Sequence, residues 1–321
     1  MHRRSPTRSL LICLLTLVII MIFTSCMVKK RSLPPYSLET CVKSKNHVNV
    51  AFVIIASPKG TNDFYDFCYN SWVKFSNKNR CKCIFLLCSN EVGDTGRMED
   101  VDDSLFATNY YAHCSELYSD IYPKTAIFIH NHLNSYLTEY EWIIRTNLTT
   151  TWNYCKLINT LTLESRNSGV FEPIFLHDHN YTLSYHIRIP KCPWGYALVI
   201  NRHAWHSIHL KLLPCIASPC SHALLDSLNL SFVRDACLRD GYALQQLDPG
   251  SKTRLVDDLL ICLLLNSKGI TSRPGFHLMC IEKWDDDISR VCDYDVIRIK
   301  FPGHMQQLIK TRLHVDALLN A

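Results

Sequence analysis

Glycine is scarce in this chain, with 10 among 321 residues, and the glycine-dependent loops of common enzyme folds are absent. No G-x-G-x-x-G occurs, which argues against an ordinary dinucleotide-binding fold, and no G-x-x-x-x-G-K-S/T occurs, which argues against a P-loop kinase or ATPase. The G-x-S-x-G elbow of α/β-hydrolases is also missing. Paired C-x-x-C motifs with zinc-finger spacing are lacking too, and Cys81-Lys82-Cys83 is too tight for a zinc knuckle.

Positive charge is in modest excess. Charged residues make up 20% of the chain and the net charge is +5, part of which flanks the apolar N-terminal run. This composition argues against bulk disorder and does not require a nucleic-acid partner. We therefore expect a folded protein that does not bind nucleic acid.

Cysteine, by contrast, is abundant. Of the 16 cysteines, only Cys13 and Cys26 fall in the apolar N-terminal run. Because cytosolic thiols stay reduced, this density is typical of a protein that folds in an oxidising compartment. We expect several of the remaining cysteines to be disulfide-bonded, with a connectivity that the sequence does not determine.

Residues 10–28 form an apolar stretch without a charge, long enough to cross a hydrocarbon core of about 30 Å. Ser25-Cys26-Met27-Val28 matches a signal-peptidase site poorly, which favours an uncleaved signal anchor. The basic flanks are nearly balanced and do not orient the anchor. Its orientation is inferred from the cysteines and from the N-x-S/T sequons at Asn147, Asn180 and Asn229, which need a luminal C-terminal part.

These signals predict a single-pass type II protein of the Golgi or another secretory-pathway membrane. Residues 1–9 are the expected cytoplasmic tail, 10–28 the transmembrane anchor, and 29–46 a luminal stem that contains Pro34-Pro35. Residues 47–321 are the expected luminal catalytic domain.

Apolar β-branched runs alternate with segments of helical periodicity in this domain. Strands are predicted at 48–56, 83–88 and 142–145, and helices at 63–75, 124–137 and 151–163. Such alternation predicts an α/β fold with a largely parallel sheet, whose ligand sites lie beyond the carboxyl ends of the strands. The rule selects the loops at 57–62, 89–94 and 146–150.

Two stretches of the second half are informative. Residues 192–202 read as a turn followed by a short strand, and Asp257-Asp258 opens an apolar helix that Gly269 ends. Taken alone, an acidic pair at a helix start is an ordinary cap and dipole partner.

The order of these pieces resembles the β-1,3-galactosyltransferase and Fringe-like family of nucleotide-sugar transferases, over residues 48–275. No single motif is strong, but their order and spacing agree. The matching segments are Tyr69-Asn70-Ser71-Trp72 for R-x-T-W, Tyr118-Ser119-Asp120-Ile121 with Lys124-Thr125 for Y-x-D-I and K-T, Gly195 to Arg202 for a turn and strand, and Val256-Asp257-Asp258-Leu259 through Lys268-Gly269-Ile270 for an acidic pair and apolar run.

The resemblance implies a GT-A-like Rossmann-type sandwich with a mostly parallel central sheet, preceded by one transmembrane helix. It implies inverting transfer of a hexose, galactosyltransferase-like, from a nucleotide-diphosphate sugar such as a UDP-sugar to a glycan hydroxyl on a glycoprotein or glycolipid. The expected roles are Asp258 as the base, Asp257 as its orienting neighbour, Ser57 and Lys59 at the nucleotide, Arg145, Thr146 and Asn147 at the diphosphate, and Trp194, Gly195 and Tyr196 at the acceptor.

One departure from the family stands out. Where the family has the acidic triplet that holds Mn²⁺, this chain has Asn147-Leu148-Thr149. Divalent cations prefer carboxylate oxygens, so we expect a weaker metal site or none, with Arg145 as another source of positive charge. Asn147 is either a glycan acceptor or a site residue, since a glycan would block the cleft.

Other acidic or histidine groups compete for a metal role only weakly, because charge runs are usually solvated surface. They are Asp285-Asp286-Asp287, Asp100 with Asp102 and Asp103, His177 with His179, and His304. The missing triplet also leaves a second hypothesis open, an inactive luminal glycan-binding protein on the same fold.

Overall fold

A computed structural model describes residues 48–89, 96–113, 121–164, 170–175, 182–183, 187–188, 197–217, 261, 264–265, 267–270, 272–282, 286–299 and 305–320. These residues belong to one compact unit, Lys45–Ala321. The expected anchor at 10–28 and stem at 29–46 lie outside the described residues. Within the described part of the chain, no helix has the length and apolar character needed to cross a membrane.

Ten of the described strands form one sheet, in the order β3-β4-β2-β1-β5-β10-β7-β11-β12-β6, and β8 pairs with β9 in a separate ribbon. The strands are β1 (Val50–Ile55), β2 (Lys82–Ser89), β3 (Met98–Asp100), β4 (Ala107–His113), β5 (Trp142–Asn147), β6 (Thr150–Trp152), β7 (Val170–Phe175), β8 (Thr182–Leu183), β9 (Ile187–Arg188), β10 (Ala197–Asn201), β11 (Ser272–Ile281) and β12 (Val296–Ile299).

Most strands of the sheet run in one direction. Strands β4, β2, β1 and β5 are mutually parallel, and β7, β11 and β12 are parallel to one another. Only β10, between β5 and β7, and the outer strands β3 and β6 run the other way. The prediction of an α/β fold with a largely parallel central sheet, compatible with a Rossmann-like fold, is therefore confirmed.

In the described part of the chain, five helices accompany the strands: α1 (Asp63–Asn79), α2 (Ile121–His132), α3 (Tyr154–Glu164), α4 (Arg202–Ala217) and α5 (Met305–Asn320). They cover both faces of the sheet. Successive strand residues point to opposite sides, so each face carries apolar side chains that the helices bury. Ala51, Val53 and Ile143 pack with α2 and α4 in one core. Phe52 and Ile144 pack with α1, α3 and α5 in the other.

The structure differs from the sequence-based elements in three places. The helix expected at 124–137 ends at His132, and the chain then turns, with the Leu137 amide donating to the His132 carbonyl. The helix expected at 151–163 begins only at Tyr154, because Thr151 and Trp152 pair with β12 in β6. Strand β4 was not predicted, since its pairing partners decide it rather than an apolar run.

The described cysteines include both bonded and reduced sulfurs. Cys88 is disulfide-bonded, whereas Cys68, Cys81 and Cys83 are buried free thiols and Cys292 is an exposed one. Burial raises the pKa of Cys68 to about 11 and the pKa of Cys83 well above its usual value. Because the thiolate is the reactive form, these buried thiols are poor nucleophiles.

A buried arginine fastens the C-terminal helix to the rest of the domain. Arg312 of α5 is 2% exposed, and its Nε donates to the Asp316 carboxylate at 2.9 and 3.0 Å. Its NH1 donates to the Thr150 carbonyl at 3.3 Å and lies 3.9 Å from the Cys68 sulfur. One guanidinium therefore joins α5, α1 and β6.

We expect Arg312→Met to lower the free energy of unfolding by about 2–4 kcal/mol, because it breaks a largely buried ion pair and leaves a buried carbonyl without its donor. Urea denaturation measures the loss. Arg290→Met is the matched control, since Arg290 pairs with Asp293 at the surface, and such pairs contribute little. Equal stability of the two variants would contradict the conclusion that Arg312 fastens α5 to the rest of the domain.

Candidate functional site

The order of strands creates a switch point beside β1. The chain goes from β1 to β2 and β4 on one side and then returns to β5 on the other side. In open α/β sheets, ligands bind in the crevice outside the carboxyl ends of the strands at such a reversal. The residues that follow β1 and β5 are therefore the candidate site.

The loop after β1 is a tightly built turn. The Gly60 amide donates to both carboxylate oxygens of Asp66, at 2.9 and 3.1 Å, and Gly60 has a φ of 86°, which favours glycine. The Thr61 hydroxyl donates to the Pro58 carbonyl at 2.6 Å. Asn62 then caps α1 by accepting from the Tyr65 amide at 2.8 Å.

This turn presents the two residues that the resemblance assigns to the nucleotide. Ser57 is half-buried next to the sheet, whereas Lys59 is exposed at the tip of the turn. The bonds from the Gly60 amide to Asp66 and from the Thr61 hydroxyl to Pro58 hold the backbone around them. The turn fixes the backbone position of this exposed ammonium, although ordering the lysine side chain itself still costs entropy when a ligand binds.

Arg145 and Asn147 meet at the end of β5. They share one face of the strand, and the Arg145 NH1 donates to the Asn147 Oδ1 at 2.9 Å. Arg145 is 2% exposed and lies beside Val53 of β1 and Leu198 of β10. The guanidinium is thus buried and is held in place by Asn147.

Thr146 lies on the opposite face. Its hydroxyl accepts from the Trp152 indole at 3.4 Å, and it is fully buried in the core under α1 and α3. Thr146 therefore does not share a face with Arg145 and Asn147. Leu148, the first residue after β5, is 5% exposed, and its carbonyl accepts from the Trp72 indole at 3.1 Å. Trp72, from the segment that resembles R-x-T-W, thereby holds the end of β5.

Lys124 is a residue of this region that the sequence reasoning did not place in the site. It lies in α2, is 2% exposed, and its Nζ donates at 3.1 Å to the carbonyl of Ala56, the residue after β1. Buried lysines are rare because desolvating the ammonium is costly. The Lys124-Thr125 match was the available signal, although it gave no role.

The structure thus places Lys124 and Arg145 on the same side of the sheet at its carboxyl end. Lys124 contacts the end of β1, Arg145 lies in β5, and β1 and β5 are adjacent. Two buried cations therefore lie at the switch point, where open α/β sheets bind their ligands. Asp257, Asp258, Trp194, Gly195 and Tyr196 lie outside the described residues.

The acidic groups expected to compete for metal serve local structure where they are described. Asp286 accepts from the Glu282 amide at 2.7 Å and Asp287 from the Ser289 amide at 2.9 Å. Asp100 accepts from the Thr108 hydroxyl at 3.0 Å. His177, His179, His304 and Asp285 lie outside the described residues. In the described part of the chain, no three His, Cys, Asp or Glu side chains are grouped so as to hold a metal.

Neither a scan against models of known protein families nor a search of the curated proteins found a match for this chain.

We expect Lys124→Met to weaken binding of inorganic pyrophosphate by roughly tenfold to a hundredfold, because a hydrogen bond to a charged group is worth about 1.5–3 kcal/mol. Isothermal titration calorimetry measures the affinity. The control is Lys82→Met, since Lys82 is half-buried and donates to Thr108 at 2.7 Å but lies at the amino end of β2. Equal loss in both variants would show a general charge effect instead.

Proposed function

We propose that this protein is an inverting hexosyltransferase on a GT-A-like fold, which moves a sugar from a nucleotide-diphosphate donor to a glycan hydroxyl in the secretory lumen. The observation that carries the proposal is the pair of buried cations, Lys124 and Arg145, at the switch point of the sheet. The ordered segments that resemble the β-1,3-galactosyltransferase and Fringe-like family add the expected donor, which is a UDP-sugar.

The chemistry is a single displacement at the anomeric carbon. A carboxylate takes the proton from the acceptor hydroxyl, the new glycosidic bond forms, and the bond to the diphosphate breaks with both its electrons going to the leaving oxygen. We assign the base to Asp258 and the orienting role to Asp257. Negative charge grows on the departing diphosphate, so fixed positive groups stabilise the transition state more than the ground state.

The described cations suit that leaving group. Arg145 is held by Asn147 at 2.9 Å, so its orientation is set before a ligand binds. A guanidinium matches two phosphate oxygens with paired hydrogen bonds. Lys124 adds a second charge near the end of β1, where the turn that carries Ser57 and Lys59 begins.

The residues at the metal position of the family do not fit a Mn²⁺ ion. The Asn147 Oδ1 accepts from Arg145, Leu148 has no oxygen in its side chain and is buried, and Thr149 offers only a hydroxyl. Neutral oxygens beside a guanidinium do not offset the desolvation of a dication. The proposed reaction therefore relies on arginine and lysine for the diphosphate.

The same observation favours one second candidate, an inactive glycan-binding protein on this fold. The Asn147 amide, whose oxygen accepts from Arg145, stands where the family has the first acidic residue of the triplet. A protein that had lost the metal without gaining another way to activate the donor would keep sugar affinity alone. Screening purified protein against nucleotide sugars, for both transfer and hydrolysis, separates the two candidates.

We expect Asp258→Asn to lower turnover by a hundredfold or more while folding and donor affinity persist, because the amide cannot accept the acceptor's proton. Asn caps a helix about as well as Asp, so a purely structural role predicts almost no change. Steady-state kinetics with the best donor measures the effect. Asp102→Asn removes an exposed carboxylate as the control, and turnover near that of the unmodified protein in Asp258→Asn would reject the assignment.

We expect initial rates in EDTA to stay within about threefold of those with added Mn²⁺, because the diphosphate is met by protein cations rather than by a metal. Asn147→Ala should then weaken donor affinity with an intact fold, since it leaves the Arg145 guanidinium without its 2.9 Å acceptor. Complete loss of activity in EDTA with full recovery on Mn²⁺ would contradict the metal-independent scheme.

A further inference from the structure

The short connection between β5 and β6 is held through its backbone. We call residues 147–150 the connecting segment, and it includes the three residues that stand at the family's metal position. The Leu148 amide donates to the Ile55 carbonyl of β1 at 3.2 Å. The Leu148 carbonyl accepts from the Trp72 indole of α1 at 3.1 Å. Both polar groups of the Leu148 backbone are therefore bonded, one to the neighbouring strand and one to a helix.

Two more elements hold the second half of the connecting segment. The Thr149 carbonyl accepts from the Ile299 amide of β12 at 3.3 Å. The Thr150 carbonyl accepts from the Arg312 guanidinium of α5 at 3.3 Å. Each such bond contributes modestly to stability, but the four bonds come from β1, α1, β12 and α5 and restrict the segment from several sides.

The position of this segment matters because the segment begins with the residue that orients Arg145. Asn147 directly precedes Leu148 in the chain, and its Oδ1 accepts from the Arg145 NH1 at 2.9 Å. A shift of the Leu148 peptide group therefore moves the Asn147 amide, which sets the direction of the guanidinium. A group that already has its bound direction loses less freedom when a ligand binds.

We propose that Trp72 is a positioning residue for diphosphate binding, which acts through the connecting segment on the direction of Arg145. Its indole N–H holds the Leu148 carbonyl, and the segment in turn holds the Asn147 amide against the guanidinium. The choice of a diphosphate as the ligand rests on the proposed function. The contact itself is a property of the fold, and it needs no contact between Trp72 and the donor.

The surroundings of Trp72 suit this role. Its side chain is 1% exposed and packs against Phe52 and Phe75, with ring centroids 5.3 and 5.0 Å away. The core therefore fixes the indole before any ligand binds. An indole has one N–H and no acceptor, so its only hydrogen bond goes to Leu148. Removing that donor leaves a buried carbonyl without it, which favours movement of the segment.

A second tryptophan makes the same kind of contact at the other end of β5 and provides a matched control. Trp205 of α4 is fully buried, and its indole donates to the Ile143 carbonyl at 3.4 Å. Ile143 lies near the amino end of the strand. Trp205→Phe therefore removes a buried indole donor from the same strand without changing a contact of the connecting segment.

The test compares Trp72→Phe with Trp205→Phe in the full chain, by isothermal titration calorimetry with inorganic pyrophosphate. Both substitutions keep an aromatic ring and remove the N–H, so both should lower stability in urea. We expect only Trp72→Phe to weaken pyrophosphate binding, by roughly threefold to tenfold, the range for which one ordinary hydrogen bond accounts. Equal affinities of the two variants overturn the proposal, as does a failure of the unmodified chain to bind pyrophosphate.

A double-mutant cycle decides whether Trp72 acts through Asn147. Once Asn147→Ala has removed the acceptor, the direction of Arg145 no longer depends on the segment. Adding Trp72→Phe should then weaken pyrophosphate binding no further. Losses that simply add would show that the two residues act independently, and they would overturn the positioning role.

A replacement that preserves the shape of the side chain keeps the test decisive if Trp72→Phe does not fold. With 3-benzothienylalanine at position 72, a sulfur takes the place of the indole N–H and the two fused rings remain. This protein should fold and should bind pyrophosphate more weakly than the unmodified chain. Unchanged affinity would overturn the proposal.

Transfer from a nucleotide sugar is measured on the same proteins. In an active enzyme, Trp72→Phe should raise the donor KM more than it lowers kcat, and a change in kcat alone overturns the positioning role. Pyrophosphate binding that depends on Trp72 in a chain without any transfer supports the positioning role while rejecting the proposed function.

Discussion

The parallel pairing of β1 with β2 on one side and with β5 on the other is the contact on which the rest of this structure depends. It brings the ends of two strands that are about 90 residues apart in sequence to one edge. Every described group of the candidate site lies at that edge or contacts a residue there. The turn at 57–62 follows β1, Arg145 and Asn147 end β5, Lys124 reaches across to Ala56, and Trp72 reaches across to Leu148.

Buried positive charge is the costly part of this arrangement. A guanidinium and an ammonium that are each 2% exposed would not be stable in an apolar interior without oxygens to accept from them. The described acceptors are an amide oxygen for Arg145 and a backbone carbonyl for Lys124. Both acceptors are neutral oxygens, and they fix the direction of each cation.

The sequence by itself determined the fold class, because apolar β-branched runs such as 50–55 and 82–89 and the periodicity of α1 are local properties of the chain. It also placed Ser57, Lys59, Arg145 and Asn147 near strand ends. Only the tertiary structure decided which side chains share a face: pairing put Arg145 with Asn147 and turned Thr146 to the other core. It alone showed Lys124 as a buried cation at β1, and it brought together Trp72 and Leu148, which are more than 70 residues apart in sequence. Burial and proximity across the chain depend on packing between elements, and no local pattern records them.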